Sequence, residues 1–171
     1  MKNNYEIRGA TAVIFINGGG HKNKEVLIDL CDLPKLLVYP NSWYILSVAD
    51  IYYARSAITI NGKIVQLLMH RFLLNPNSNL EVDHINHNGL DNRRNNLRLV
   101  THAENQQNKK GPQISNITGG VRGVSWDKNR GMWKAQVEIN KKKVFCKRFI
   151  SKNDAINAVK DARSKVMKYS N

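Results

Sequence analysis

Alternating apolar and polar positions dominate residues 5–74 and predict strands over 11–16, 25–30, 43–46 and 52–60. The sharpest local signal is Asn61-Gly62, which separates the apolar stretches 57–60 and 64–68. A type I′ turn needs positive φ at both central residues, and this dipeptide suits it, so a β-hairpin is expected there. The apolar run 67–74 contains His70-Arg71 and stops at Asn75-Pro76-Asn77, a turn signal.

Beyond residue 79 the elements shorten. Residues 80–84 predict a strand, 86–95 a loop rich in Asn, Asp, Gly and Arg, and 96–100 a returning strand. Thr101-His102-Ala103-Glu104 fits a capping box, in which hydroxyl and carboxylate satisfy exposed backbone amides, so a helix should begin near His102. Apolar periodicity is lost over 106–118, which places a domain boundary near Gly111. Three further strands are expected at 121–126, 132–139 and 144–149. Ser151-Lys152-Asn153-Asp154 then opens a helix whose apolar stripe is Ala155, Val159, Ala162 and Val166. The fold class is therefore α+β, ending in a small three-stranded antiparallel sheet packed on one helix, with no internal repeat.

Composition permits one ordinary core or two small ones, with 171 residues of which 42% are hydrophobic. Neither a membrane span nor a signal peptide is evident, so an intracellular, cytoplasmic protein is expected. Cys31 and Cys146 stand far apart with no CxxC pair; they predict no zinc site or disulfide framework and are read as buried small apolar residues. Charge changes the picture more. Residues 1–105 carry 11 basic and 9 acidic side chains, whereas residues 106–171 carry 16 and 4. So uneven an excess points to a polyanion, nucleic acid above all.

Asp83 and His84 are adjacent at a strand end, so their side chains diverge, one to hold a metal and the other to move a proton. Asn105, in the first turn of the following helix, can return to Asp83 once the hairpin closes. Two oxygen donors with water and phosphate suit one Mg²⁺ or Mn²⁺ ion better than zinc. His84, with an ordinary pKa near ~6.5, can take a proton from an attacking water.

Val82-Asp83-His84-Ile85-Asn86, Asn95-Asn96-Leu97-Arg98-Leu99-Val100-Thr101 and Glu104-Asn105-Gln106, with their spacings, resemble the HNH family of ββα-metal nucleases. The closest likeness is to phage and intron homing endonucleases that carry Asn in place of the third histidine. The resemblance implies that Asp83 and the amide oxygen of Asn105 bind one divalent cation and that His84 is the general base. It implies also that Asn96 braces the motif and orients the His84 ring, and that cleavage leaves 5′-phosphate ends. His70 matches a His-Arg pair preceding the motif, with a packing role and a DNA contact both open. Arg71 of that pair and Arg93 of the loop are candidate DNA contacts.

Gly119-Gly120-Val121-Arg122-Gly123-Val124-Ser125-Trp126, Met132-Trp133-Lys134-Ala135-Gln136-Val137 and Lys143-Val144-Phe145-Cys146-Lys147-Arg148-Phe149 resemble the Apetala-type DNA-binding domain, whose sheet enters the major groove. Alternation independently sets Lys134 and Gln136 on the face opposite Trp133, Ala135, Val137 and Ile139. Arg122, Lys143, Phe145 and Lys147 match further DNA-facing positions, while Ser125 and Asp127 depart from the plant pattern. Trp126 and Trp133 are read as core.

The organisation expected is thus a β-rich N-terminal part over 1–74, a ββα-metal motif over 75–110, a linker over 111–118 and a DNA-binding domain over 119–171. The partner expected is double-stranded DNA, with no membrane, no small-molecule cofactor and a monomer favoured. The alternative function is a DNA-binding regulator with a vestigial nuclease fold.

Overall fold

The computed structural model describes residues 1–18, 20–48, 51–108, 120–139 and 142–167. It is a mixed α+β protein of small antiparallel sheets, divided into two compact units, Met1–Thr101 and His102–Asn171. The linker expected at 111–118 lies outside the described residues.

In the first unit, β1 (Tyr5–Arg8), β2 (Thr11–Gly18) and β3 (His21–Asp29) form one antiparallel meander. A single 3-10 turn, Leu30–Asp32, and the short helix α1 (Leu33–Leu37) lead into a second meander of β4 (Tyr44–Val48), β5 (Ile51–Ile60) and β6 (Lys63–Leu68). Asn61 and Gly62 have φ of 49° and 74°, as the type I′ turn requires. Helix α2 (Met69–Leu74) follows, then the two-stranded hairpin of β7 (Glu81–His84) and β8 (Leu97–Val100). The apolar run 67–74 thus ends one strand and forms the next helix. The inward positions of the first meander, Ala12, Ile14, Ile16, Val26 and Ile28, meet Leu36, Trp43, Ala54 and Met69 in one core. Tyr39, Trp43 and Phe72 pack ring against ring there at 5.1–5.8 Å.

Strand β1 and helices α1 and α2 were among the elements not foreseen. All four residues of β1 are exposed, so the alternation of Tyr5-Glu6-Ile7-Arg8 buries neither face. Helix α1 has five residues with Pro34 at its start, too short for a 3.6-residue repeat to register. The expected burial of the cysteines is corrected, since both are exposed. Cys31 lies in the 3-10 turn, where burial goes to its neighbour Asp32, and Cys146 pairs with Gln136.

In the second unit, helix α3 (His102–Asn108) begins where the capping box placed it. Strands β9 (Val124–Asp127), β10 (Met132–Ile139) and β11 (Lys142–Phe149) form a sheet with β10 central, and helix α4 (Lys152–Val166) packs on it. Ser151 Oγ caps α4 by accepting from the Asp154 backbone N–H. Val124, Ala135, Val137, Ala155, Val159 and Met167 make the core. Strand β9 starts only at Val124 because Gly123, at φ +90°, brings its backbone against Gln136; a Cβ there would sit 2.5 Å from the Gln136 carbonyl oxygen. Val166, expected in the apolar stripe, is exposed, and Met167 just past the helix turns inward instead. Trp126 lies on an edge strand and is also exposed, although its ring meets Trp133 at 5.1 Å.

Candidate active site

The Asn-rich loop between β7 and β8 has little apolar content of its own, so hydrogen bonds must shape it. Asn96 closes its two ends. Its Oδ1 accepts from the Asn86 N–H at 2.9 Å, its Nδ2 donates to the Asp91 carbonyl at 2.7 Å, and its own carbonyl accepts from the Ile85 N–H. Asp91, buried at the loop's centre, receives Arg93 through Nε and Nη2, both at 2.8 Å, and Asn86 Nδ2 at 3.1 Å. The guanidinium beside Asp91 holds its carboxyl below the usual range despite burial.

The N-terminal strands seat this loop. The Leu27 N–H donates to the Leu90 carbonyl at 2.9 Å and the Asn92 N–H to the Leu27 carbonyl at 2.7 Å, so 90–92 adds a short parallel bridge to the side of β3. Arg94 donates its backbone N–H to Asp29 and its fork to the buried carboxylate of Asp32 at 2.6 and 2.8 Å. On the far side, Gly89 presses against β5, where a Cβ would lie 2.4 Å from the Tyr52 carbonyl oxygen and 2.6 Å from the Tyr53 ring. The strands of residues 1–65 are thereby the bed on which the motif lies.

Asp83 and His84 sit side by side on β7, 8% and 6% exposed. Strand alternation sends their side chains apart, as expected. Asp83 Oδ2 receives Arg98 Nε and Nη2 at 2.8 and 2.7 Å from the facing position on β8. His84 Nε2 meets the Oδ1 of fully buried Asn92 at 3.3 Å. With the amide oxygen accepting, Nε2 carries the hydrogen and the basic lone pair belongs to Nδ1. Burial lowers the His84 pKa below 6.5 against the opposing pull of Asn92, Asp83 and Asp91. The imidazole is therefore neutral at pH 7.

Two further rings pack against His84. His70, from α2 and 6% exposed, meets it edge-on, and the Tyr53 ring lies 5.9 Å from each histidine. Burial, then the charges of His84 and Arg71, drive the His70 pKa down to about 3. Its Nδ1 is buried without a hydrogen-bond partner.

Of the expected site residues, Asp83, His84 and Asn96 thus gather in the first unit, and Asn105 belongs to α3 of the second. Asn96 hydrogen-bonds the loop backbone, and Asn92 Oδ1 lies 3.3 Å from His84 Nε2. Arg71 Nη1 reaches the Leu80 carbonyl, and the Arg93 fork is engaged by Asp91. In the second unit, Arg122 donates to the Gln106 carbonyl at 2.8 Å. Pairing register puts Lys134, Gln136 and Lys143 on the sheet face away from α4, together with Arg148. Phe145 and Lys147 instead oppose Val137 and Ala135 on the helix side, where Phe145 packs against the core.

Sequence reading missed Asn92, Asp91, Arg98 and Tyr53. Arg98 was within reach, because it faces Asp83 in a hairpin register that the motif implies. Tyr53 was not, since only packing brings β5 to the motif. Among the described residues no group of three or more His, Cys, Asp or Glu side chains gathers as a metal cluster.

Comparison with known proteins gives the motif a family. Residues 75–107 match the family model described as HNH endonuclease. Protein 3.8 of Escherichia phage T7 is 44% identical over 56 residues, 33% of this chain and 45% of that protein. An uncharacterized HNH endonuclease of Acanthamoeba polyphaga mimivirus is 34% identical over 92 residues, 50% of this chain and 47% of that one. The chain spans about half the length of these curated relatives. No solved structure matches it. The loop and hairpin that carry Asp83, His84 and Asn96 are thereby part of an HNH endonuclease family domain.

Proposed function

We propose that the protein is a metal-dependent DNA endonuclease of the HNH homing type, cutting with the first unit and reading duplex DNA with the second. The observation that carries this is the buried, neutral His84, its tautomer set by Asn92, next to the carboxylate of Asp83. In this role His84 Nδ1 accepts the proton of a water attacking the scissile phosphorus, and the 3′ oxygen leaves, giving a 5′-phosphate end. Asn92 keeps the basic lone pair on the correct nitrogen, and Asn96 holds the loop that carries Asn92.

The donor chemistry fits one hard divalent cation, Mg²⁺ or Mn²⁺. Asp83 would supply a carboxylate ligand to the ion, an oxygen donor of the type that such an ion prefers. When bound, it supplies positive charge to offset the charge growing on the phosphate and the leaving oxygen.

The second unit is proposed as an Apetala-type DNA reader. Support comes from its three-stranded sheet on one helix, from 16 basic against 4 acidic residues over 106–171, and from Lys134, Gln136, Lys143 and Arg148 on the sheet face away from α4. Phosphate contacts give affinity and base edges give sequence preference. No described helix is long and apolar enough to cross a membrane. Relatives in a phage and a giant virus support a viral setting inside an infected cell.

A regulator with a vestigial nuclease fold draws on one observation, the Arg98 ion pair that engages Asp83 Oδ2. Incubation with supercoiled plasmid and Mg²⁺ or Mn²⁺ separates the two readings. Nicked or linear product is expected, lost in His84→Ala while duplex binding in a gel shift survives. Intact plasmid with either metal over varied sequences, beside tight binding to one site, would leave the regulator.

A further inference from the structure

The second meander has two faces, and only one belongs to the core. Tyr52, Ala54 and Ile58 on β5 pack inward with Ile45 and Leu67. Tyr53 points the other way and touches both His70 and His84, so the outward face is continuous with the candidate active site. Arg55 is the next residue on that outward face, between Tyr44 of β4 and Leu68 of β6. Two strand positions carry it roughly 7 Å from Tyr53.

Every other arginine of the first unit is engaged. Arg8 pairs with Glu6 and Glu25, Arg93 with Asp91, Arg94 with Asp32 and Arg98 with Asp83, and Arg71 donates to the Leu80 carbonyl. Arg55 is half-buried, its Nε is out of water with no acceptor, and among the described residues it forms no ion pair. A cationic donor withdrawn from water without an acceptor is unfavourable in the free protein, and an arriving anion relieves that cost.

We infer that Arg55 is a phosphate-binding residue of the nuclease unit, gripping the DNA backbone beside the phosphate presented to His84. This rests on the nuclease reading above. Successive phosphates of one strand advance roughly 3.4 Å along the duplex axis, so a guanidinium two strand positions from the ring beside His84 falls within a few nucleotides of the cut. A planar fork suits two oxygens of one phosphate, and the contact would hold the strand in register over the base. Residues 1–65 then contribute a substrate contact as well as a bed for the motif.

The test uses the full chain with Arg55→Met and Arg55→Gln. Methionine keeps an apolar stem and removes the orphaned donor. Arg55→Met is expected to melt at or above the wild-type temperature, yet to raise KM for duplex cleavage at least tenfold. In the His84→Ala background, the slope of log Kd against log salt should shrink by about 0.9, the loss of one phosphate contact. Arg55→Gln should show the same two binding changes. An unchanged KM and salt slope in folded Arg55→Met, with wild type still nicking plasmid, overturns this inference alone. Should Arg55→Met melt lower and bind DNA as wild type does, Arg55 is a packing residue. Wild type that binds but never cuts sinks the nuclease reading, while the salt slope still decides whether Arg55 holds a phosphate.

Discussion

The imidazoles of His70 and His84 meet edge to face, with 4.9 Å between ring centroids and 89° between planes. One ring comes from the helix after the second meander and the other from the first strand of the motif, so the contact joins scaffold to candidate base. Both are buried, and His84 disfavours charge on His70.

That burial makes stability fall on acidification. His70 has a folded-state pKa of about 3 against 6.5 in the unfolded chain, so below pH 6.5 the unfolded chain binds a proton that the folded one refuses. Stability should be flat above that value and decline towards pH 3 by about 1.4 kcal/mol per pH unit for this residue, with His84 adding in the same direction. Urea melts of wild type and His70→Phe at pH 7 and 5 check it. Phenylalanine keeps the ring packing and should flatten the slope, and an equally steep decline would clear His70 of the effect.

Asn92 Oδ1 meets His84 Nε2 at 3.3 Å, so Asn92→Ala should slow cleavage with DNA affinity intact. A complete general base contributes about 10²–10⁴-fold, and a misaligned one should lose on the order of 10-fold of that. Single-turnover rates at saturating enzyme measure it, and a wild-type rate would remove Asn92 from its positioning role.

Gly89→Ala tests the seating of the loop on β5. The added methyl would meet a backbone oxygen at 2.4 Å, which no side-chain rotation relieves. The loop must shift, at about 1–3 kcal/mol of stability, and His84 moves with it. Thermal melting should show the loss, and plasmid nicking should fall further than melting alone accounts for.

Metal dependence has a readout apart from activity. Mn²⁺ bound by the wild-type chain, followed by electron paramagnetic resonance, should weaken at least on the order of 10-fold in Asp83→Asn. Chelation should stop plasmid cleavage, with Mg²⁺ or Mn²⁺ restoring it. Equal Mn²⁺ binding by the two proteins would take Asp83 out of the ligand set.

Much of the fold was legible because it rests on local chemistry. The Asn61-Gly62 turn, the helix start just after Thr101 and the alternation along β10 each appear where sequence placed them, for each is fixed by neighbours in the chain. Strand β1 and helix α1 escaped because one has no buried face and the other has fewer than two turns. Phe145 shows a subtler limit. Family likeness set it toward DNA, and pairing with Val137 turned it to the core.

By itself the sequence determined the motif, Asp83 beside His84 with Asn96 downstream, and the crowding of positive charge beyond residue 105. These are matters of residue type and spacing. Only the tertiary structure decided that Asn92 meets the His84 ring, that Tyr53 and His70 wall it in, and that Arg55 shares their face. Those partners lie on separate strands and a helix, and no local rule of propensity or period brings β5, α2 and β7 together; burial of a common core does.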